Sequence, residues 1–235
     1  MGRIFEKRKH KMFARFDKMA KAFSRIGKDI AIAVKQGGPL PENNPRLRVC
    51  IQNAKGVNMP KDRVEAAIRR ASSKEEKDFQ EVIYEGYAPH GVPVVVETAT
   101  DNPTRTVANV RLIFSKNGGS MGNSGSVAFM FERRGVFKFD PAAINLDEME
   151  LELIDAGAED IEPSDEELTV STKFADFGHM QKFLETKGLE VRSATLQYLP
   201  TTTKELPEDQ QDEVLKLIEA LEADDDVQSV YHNLA

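Results

Sequence analysis

Tryptophan is absent from this 235-residue chain, and cysteine occurs once. With Cys50 alone no intramolecular disulfide can form, and a cysteine-rich metal site is excluded. The four histidines, His10, His90, His179 and His232, are scattered without metal-ligand spacing. No apolar run is long enough to cross a bilayer, and the N-terminus lacks the uninterrupted apolar segment of a secretory signal. Also missing are a phosphate loop ending in Gly-Lys-Ser/Thr, a dinucleotide-binding glycine fingerprint and a serine in a nucleophile elbow. Acidic pairs abound, but in runs such as Asp224-Asp225-Asp226, which read as solvated surface. These absences point away from an enzyme, and leave a cryptic hydrolase or transferase in the central domain only as the remote alternative. They leave no catalytic residue, metal ligand, cofactor or small-molecule substrate to assign. A cytoplasmic protein is the expectation.

What is present is charge, in two opposed blocks. Residues 1–77 hold 20 lysines and arginines against 8 acids, a net of +12. Residues 78–235 hold 12 against 31, a net of −19, and the chain total of −7 conceals both. Such asymmetry is expected where one end faces a polyanion and the remainder keeps the protein in solution.

The basic block reads as three helices. From Lys11 to Lys35, Met12, Phe16, Met19, Phe23, Ile26 and Ile30 recur at three- and four-residue steps and make one apolar stripe. Lys11, Arg15, Lys18, Lys21, Arg25 and Lys28 form a cationic ridge about 120° around the helix from it, at 100° per residue. Gly37-Gly38-Pro39 ends this helix. Asn44 caps a second, with Pro45 at its first position and Leu47, Cys50, Ile51 and Ala54 inward, which gives Cys50 a core role. Pro60 starts a third, with Val64, Ala67, Ile68 and Ala71 inward. Arg46, Arg48, Lys55, Lys61, Arg63, Arg69 and Arg70 fall mainly outside these stripes. The polar stretch Ser72–Asp78 is the natural hinge.

Beyond it, Tyr84 to Phe131 reads as the hub. Val92–Ala99 is short and β-branched, hence a central strand, after a strand near Glu81–Tyr87. Asn102-Pro103 starts a helix that Asn117-Gly118-Gly119 closes, and a glycine-dotted loop leads to a second strand at Val127–Phe131. Residues 136–198 then alternate strand, helix, strand, strand, helix, strand, with Gly157 and Gly188 where the helices should end. That is the ferredoxin-like βαββαβ order. A last helix, Pro207–Glu222, and strand, Val227–Tyr231, are too little for a domain and should return to the hub. The expected fold is α+β and multidomain. It comprises a basic three-helix bundle (1–77), a central α/β hub (78–133 plus 201–235) and an inserted acidic ferredoxin-like lobe (134–200).

Tyr84-Glu85-Gly86-Tyr87, Thr100-Asp101-Asn102, Arg105-Thr106, Phe114-Ser115-Lys116-Asn117-Gly118-Gly119 and Gly125-Ser126-Val127 resemble the YebC family. Asn44-Pro45-Arg46-Leu47-Arg48, Asn58-Met59-Pro60-Lys61-Asp62 and the segment from Asp225 to Asn233 agree in the same order. The first forty residues match less well, for the Ser-Lys-Trp opening usual in that family is missing. That family is described as transcriptional regulators and includes a mitochondrial translational activator. The resemblance implies the same three-part architecture, and an action either on transcription through DNA or on translation at the ribosome.

The candidate nucleic-acid-binding residues are therefore the ridge, Lys11, Arg15, Lys18, Lys21, Arg25 and Lys28, with Arg46, Arg48, Lys61 and Arg63. Arg105, Arg111, Lys116, Asn117, Met121 and Asn123 around the glycine loop join them. That loop has two readings. It is a flexible connection whose glycines take positive φ, or its amides and Asn123 approach phosphates with Met121 as an apolar wedge. A basic helix bearing Phe13, Phe16 and Phe23 would also suit a membrane surface, but the facing helices consume those rings, so no membrane partner is expected. Backbone contact with nucleic acid is the default, with ribosomal RNA and the ribosome favoured and duplex DNA as the alternative.

Overall fold

A computed structural model describes residues 3–73 and 78–235, and of residues 3–16 the backbone alone. The chain divides into two compact units, Met1–Asp78 and Phe79–Ala235. The first holds α1 (Arg3–Gly37), α2 (Pro45–Gly56) and α3 (Lys61–Ala71). At 1.5 Å per residue α1 extends about 52 Å, while α2 and α3 extend only about 18 and 17 Å. Even laid end to end the two short helices could not flank all of α1. In its described part the buried residues are Ile26 and Ile30–Val34, which share the bundle core with Leu47, Cys50, Ala54, Val64, Ala67 and Ala71. Met19 and Phe23 are half-buried, and the side chains of Met12 and Phe16 lie outside the described residues.

One side chain joins α1 to α2. The Asn44 carboxamide oxygen accepts from the Leu47 N–H at 3.0 Å and caps α2. Its amide nitrogen donates to the Ala33 carbonyl in the last turn of α1 at 2.7 Å and to the Gly38 carbonyl just beyond that helix at 2.9 Å. A Cβ on Gly37 would lie 2.7 Å from this carboxamide, so the junction closes only around a glycine.

The second unit runs β1 (Gln80–Ala88), β2 (Val92–Thr100), α4 (Pro103–Lys116), β3 (Ser120–Met121), β4 (Phe131–Phe139), α5 (Leu146–Asp155), β5 (Ala158–Pro163), β6 (Leu168–Lys173), α6 (Phe177–Lys187), β7 (Ser193–Pro200), α7 (Glu208–Ala223) and β8 (Val227–His232). Its strands form two four-stranded antiparallel sheets, ordered β3-β1-β2-β8 and β5-β6-β4-β7. The second order is that of a ferredoxin-like βαββαβ unit, and Gly157 (φ 103°) and Gly188 (φ 68°) end α5 and α6 in conformations that glycine adopts without strain.

In the first sheet β2 lies between β1 and β8 and is buried throughout except at Glu97. On one face, Val92, Val94 and Val96 pack against Val110 and Phe114 of α4 and Val214, Leu217, Ile218 and Leu221 of α7. The last helix and strand thus complete this sheet, with β8 antiparallel to β2. On the other face Val95 meets Val127 and Phe131, with Tyr87, Met130, Tyr198 and Tyr231 around them. That cluster includes Phe131 of β4 and Tyr198 of β7, so it is where the two sheets touch.

Two sequence expectations shift. The strand expected at Val127–Phe131 does not form; Ala128–Met130 is a 3-10 turn, and β4 starts at Phe131 in the other sheet. The amides of Val127 and Ala128 are taken by a side chain, Glu85, and cannot join a ladder. The strand expected from Glu190 begins instead at Ser193. The Leu189 N–H closes on the Leu184 carbonyl after the Gly188 turn, so the chain is still leaving α6.

Candidate nucleic-acid interface

Among the ridge residues, Lys18 and Lys21 are exposed, while Arg25 and Lys28 are half-buried and each already makes a contact. The side chains of Lys11 and Arg15 lie outside the described residues. Arg46 donates to the Gln36 side chain at 2.8 Å, and Arg48 to the Pro41 carbonyl at 3.0 Å, so both guanidiniums brace the α1–α2 junction. Arg63 sits over the Phe23 ring at 5.7 Å and packs α3 on α1. Lys61 is exposed, 3.8 Å from Glu65. Among the described side chains of this unit, the exposed cations open to a polyanion therefore include Lys18, Lys21, Lys55, Lys61 and Arg70.

In the second unit the structure gives the glycine loop an owner. Glu85, on the β1 face away from α4 and α7, is 5% exposed. Its Oε1 accepts from the Gly125 N–H at 2.7 Å, and its Oε2 from the Val127 and Ala128 N–H groups, each at 2.8 Å. Burial alone pushes this carboxyl's pKa up, but the three amide hydrogen bonds outweigh it and hold the group below its ordinary 4.5. Three of the amides that could have cradled a phosphate are thus occupied from within. At its start the loop is tied by β3, where Met121 pairs with Gly86 and packs on the edge of the α4–α7 core. Met121 is a packing residue in this structure. Asn123 and Ser124 remain exposed at the tip.

Around the helix that leads to the loop, Arg111 and Lys116 are exposed, and Asn117 caps α4 by donating to the Ile113 carbonyl at 2.9 Å. Arg105 is committed elsewhere. It donates to Asp101 at 3.0 Å and to Asp226 at 2.7 Å. Asp226 also accepts from the Thr106 hydroxyl at 2.8 Å and the Thr100 hydroxyl at 3.3 Å. Far from being solvated, Asp226 is 6% exposed; it locks the N-terminus of α4 to the turn before β8. Asp226→Ala should cost about 2–3 kcal/mol, because it strands two buried hydroxyls and a guanidinium. Arg105→Ala should cost clearly less, since the exposed guanidinium is shared with water. Denaturant unfolding of the two variants checks that order.

Glu97 is the other carboxyl that sequence reading passed over. Burial raises its pKa, against the lowering effects of the Tyr231 hydroxyl, which donates to it at 2.9 Å, and of Arg133. Tyr231 is itself pushed up, by burial first and by Glu97 second. The Arg133 guanidinium lies 4.7 Å over the Phe174 ring and 5.8 Å over that of Tyr198. This is a hydrogen-bonded pair packed where the two sheets meet. The visible signal was a carboxylate interrupting the apolar run of β2.

Pairing in the second sheet puts Glu132, Arg134, Val136 and Lys138 of β4 on one face with Thr195, Gln197 and Leu199 of β7. Single-stranded RNA read on such a sheet stacks on aromatic rings, and these positions carry none. Among the described residues, no group of three or more His, Cys, Asp or Glu is placed to hold a metal ion, and no helix is long and apolar enough to cross a membrane.

Residues 3–74 match the family model of the TACO1/YebC protein N-terminal domain, and residues 79–234 that of the TACO1/YebC second and third domain. The chain belongs to the TACO1/YebC family. The N-terminal match includes residues 3–40, where the family resemblance is weaker. Relatives named "probable transcriptional regulatory protein" include one from Anaeromyxobacter dehalogenans strain 2CP-C, 58% identical, and one from Myxococcus xanthus, 55% identical; each comparison covers 100% of both chains. The crystal structure of a conserved hypothetical protein from Aquifex aeolicus, 39% identical, matches with a TM-score of 0.81 over 92% of this chain and 90% of that one. In this TACO1/YebC chain the Tyr84-Glu85-Gly86-Tyr87 and Gly125-Ser126-Val127 segments are thus two halves of one device, the carboxylate and the loop it holds.

Proposed function

We propose that this protein is a non-catalytic regulator of gene expression that binds nucleic acid through its basic helices and acts on RNA at the large ribosomal subunit. The observation that carries this reading is the cationic α1, which outruns the helices packed on it and exposes Lys18 and Lys21. Lysines contribute point charges to a phosphate backbone and fix position without reading sequence. A further pair of cations, Arg111 and Lys116, stands beside the loop of the second unit. Charge dispersed in this way suits folded RNA, which proteins recognise largely by shape. The net −19 of residues 78–235 also disfavours a long uniform duplex lying across that unit.

A second reading, sequence-specific binding to duplex DNA, is favoured by the relatives' name. Sedimentation with purified large subunits, beside titration of a random duplex, separates the two. The first reading expects saturable co-sedimentation that weakens with salt, and weak duplex binding without sequence preference. A duplex held at least roughly a thousandfold more tightly than its scrambled version, with no subunit association, would establish the second instead.

A further inference from the structure

We propose that the outer face of α5 is a docking surface for a lysine- and arginine-rich protein segment, on the reading above a protein of the large ribosomal subunit. α5 is amphipathic in the ordinary sense on one side only. Leu153 is fully buried and Leu146 and Met149 are half-buried, so these residues face the sheet. Counting 100° per residue from Leu146, they lie within about 60° of one another, and Leu151 falls about 140° and Ile154 about 80° away from it. Both side chains are outside: Leu151 is 76% and Ile154 50% exposed. Leu151 is the most exposed large apolar side chain among the described residues.

Single exposed leucines are ordinary, but these two share one helix face and are ringed by one sign of charge. Asp147, Glu148, Glu150 and Asp155 surround them, all exposed, and α5 contains no basic residue. The remaining carboxylate, Glu152, is paired with Lys187. An apolar centre within a charged rim is the anatomy of a protein interface. The sign of the rim selects the occupant. Phosphates would be repelled, an acidic protein likewise, and a cationic surface carrying an apolar side chain would find both complements. The lobe thus has a task that its charge otherwise contradicts: it gives a nucleic-acid-binding protein a second hold, on protein.

Zero-length carbodiimide coupling of the full-length protein to purified large subunits tests this, beside subunit affinities of two variants, Leu151→Ala/Ile154→Ala and Asp147→Lys/Glu150→Lys. All four positions are on the surface, and unchanged thermal unfolding confirms that the fold survives. We expect mass spectrometry to find α5 carboxylates joined to lysines of subunit proteins, and each variant to lose about tenfold in affinity together with those linkages. Wild-type binding that persists, with no α5 linkage and unaltered affinity in both variants, would overturn the docking surface and leave the ribosomal reading standing. Failure of the wild type to sediment with subunits at all would overturn both. Linkages between two copies of this chain, with a dimer in sedimentation that the variants abolish, would make the face a self-interface and equally overturn the proposal.

Discussion

Glu85→Ala should destabilise the second unit by about 3 kcal/mol or more and release the glycine loop, although no residue of that loop is changed. The carboxylate accepts from three backbone amides, and the bond to Val127 is buried. An amide left buried without an acceptor costs about 1–3 kcal/mol, and bonds to a charged acceptor sit at the upper end of the scale. Water could reach the half-exposed Gly125 and Ala128 amides in the variant, so the total stays below three times that figure. Glu85→Gln should fall between. Its single carbonyl oxygen can serve Val127 and Ala128, but its NH2 then meets the Gly125 N–H, donor against donor. The pH dependence follows from the depressed pKa. A carboxyl held below its ordinary 4.5 in the fold stabilises the folded state above that value, and the stabilisation is lost as pH falls through the folded pKa. Wild type should therefore lose stability in acid more steeply than Glu85→Gln, with the two curves converging below about pH 5. Parallel curves would mean that the carboxylate's charge contributes nothing to the loop.

That device also shows where sequence reading stops. The caps were legible because capping is local: Asn44 and Asn102 accept from amides three residues on, and each is followed by the proline that a helix start favours. The all-apolar core of β2 and the order of the second sheet were legible through period and turn residues. What escaped was polar and distant in sequence. Glu85 reaches across forty residues to Gly125, and Asp226 reaches across 121 to Arg105. In a one-dimensional reading, Asp226 is one acid in a run of three, and Arg105 is one more cation near a loop. Only burial separates them from their neighbours, and burial belongs to the tertiary structure. The same reasoning moves the strand expected at Val127. Its β-branched side chain is buried, but its amide answers to a carboxylate instead of a neighbouring strand.

The separation of structural from available cations leads to the largest expected effect on binding. Lys18→Glu/Lys21→Glu should leave thermal unfolding unchanged, since both side chains are exposed on a helix and glutamate is a good helix former. Each phosphate contact releases roughly 0.7 counterion from a single strand and 0.9 from a duplex, so losing two should flatten the log–log salt slope by about 1.4–1.8. Against 0.1 M salt the same release is worth roughly 25- to 60-fold in affinity, and the repulsion of two new carboxylates adds to it. Arg105→Ala and Arg46→Ala are the matched controls. They remove positive charge too, but from guanidiniums already bonded to Asp226 and Gln36. Those variants should shift unfolding while the salt slope stays where it was. If instead all three variants flatten the slope alike, binding depends on net charge alone, and α1 holds no privileged position. If the lysine pair leaves both affinity and slope intact, the ridge is a solvated face and the polyanion must be sought elsewhere on the chain. The slope is the deciding quantity, because a general loss of folded protein lowers apparent affinity equally at every salt concentration, and only a lost phosphate contact changes how steeply affinity falls with salt.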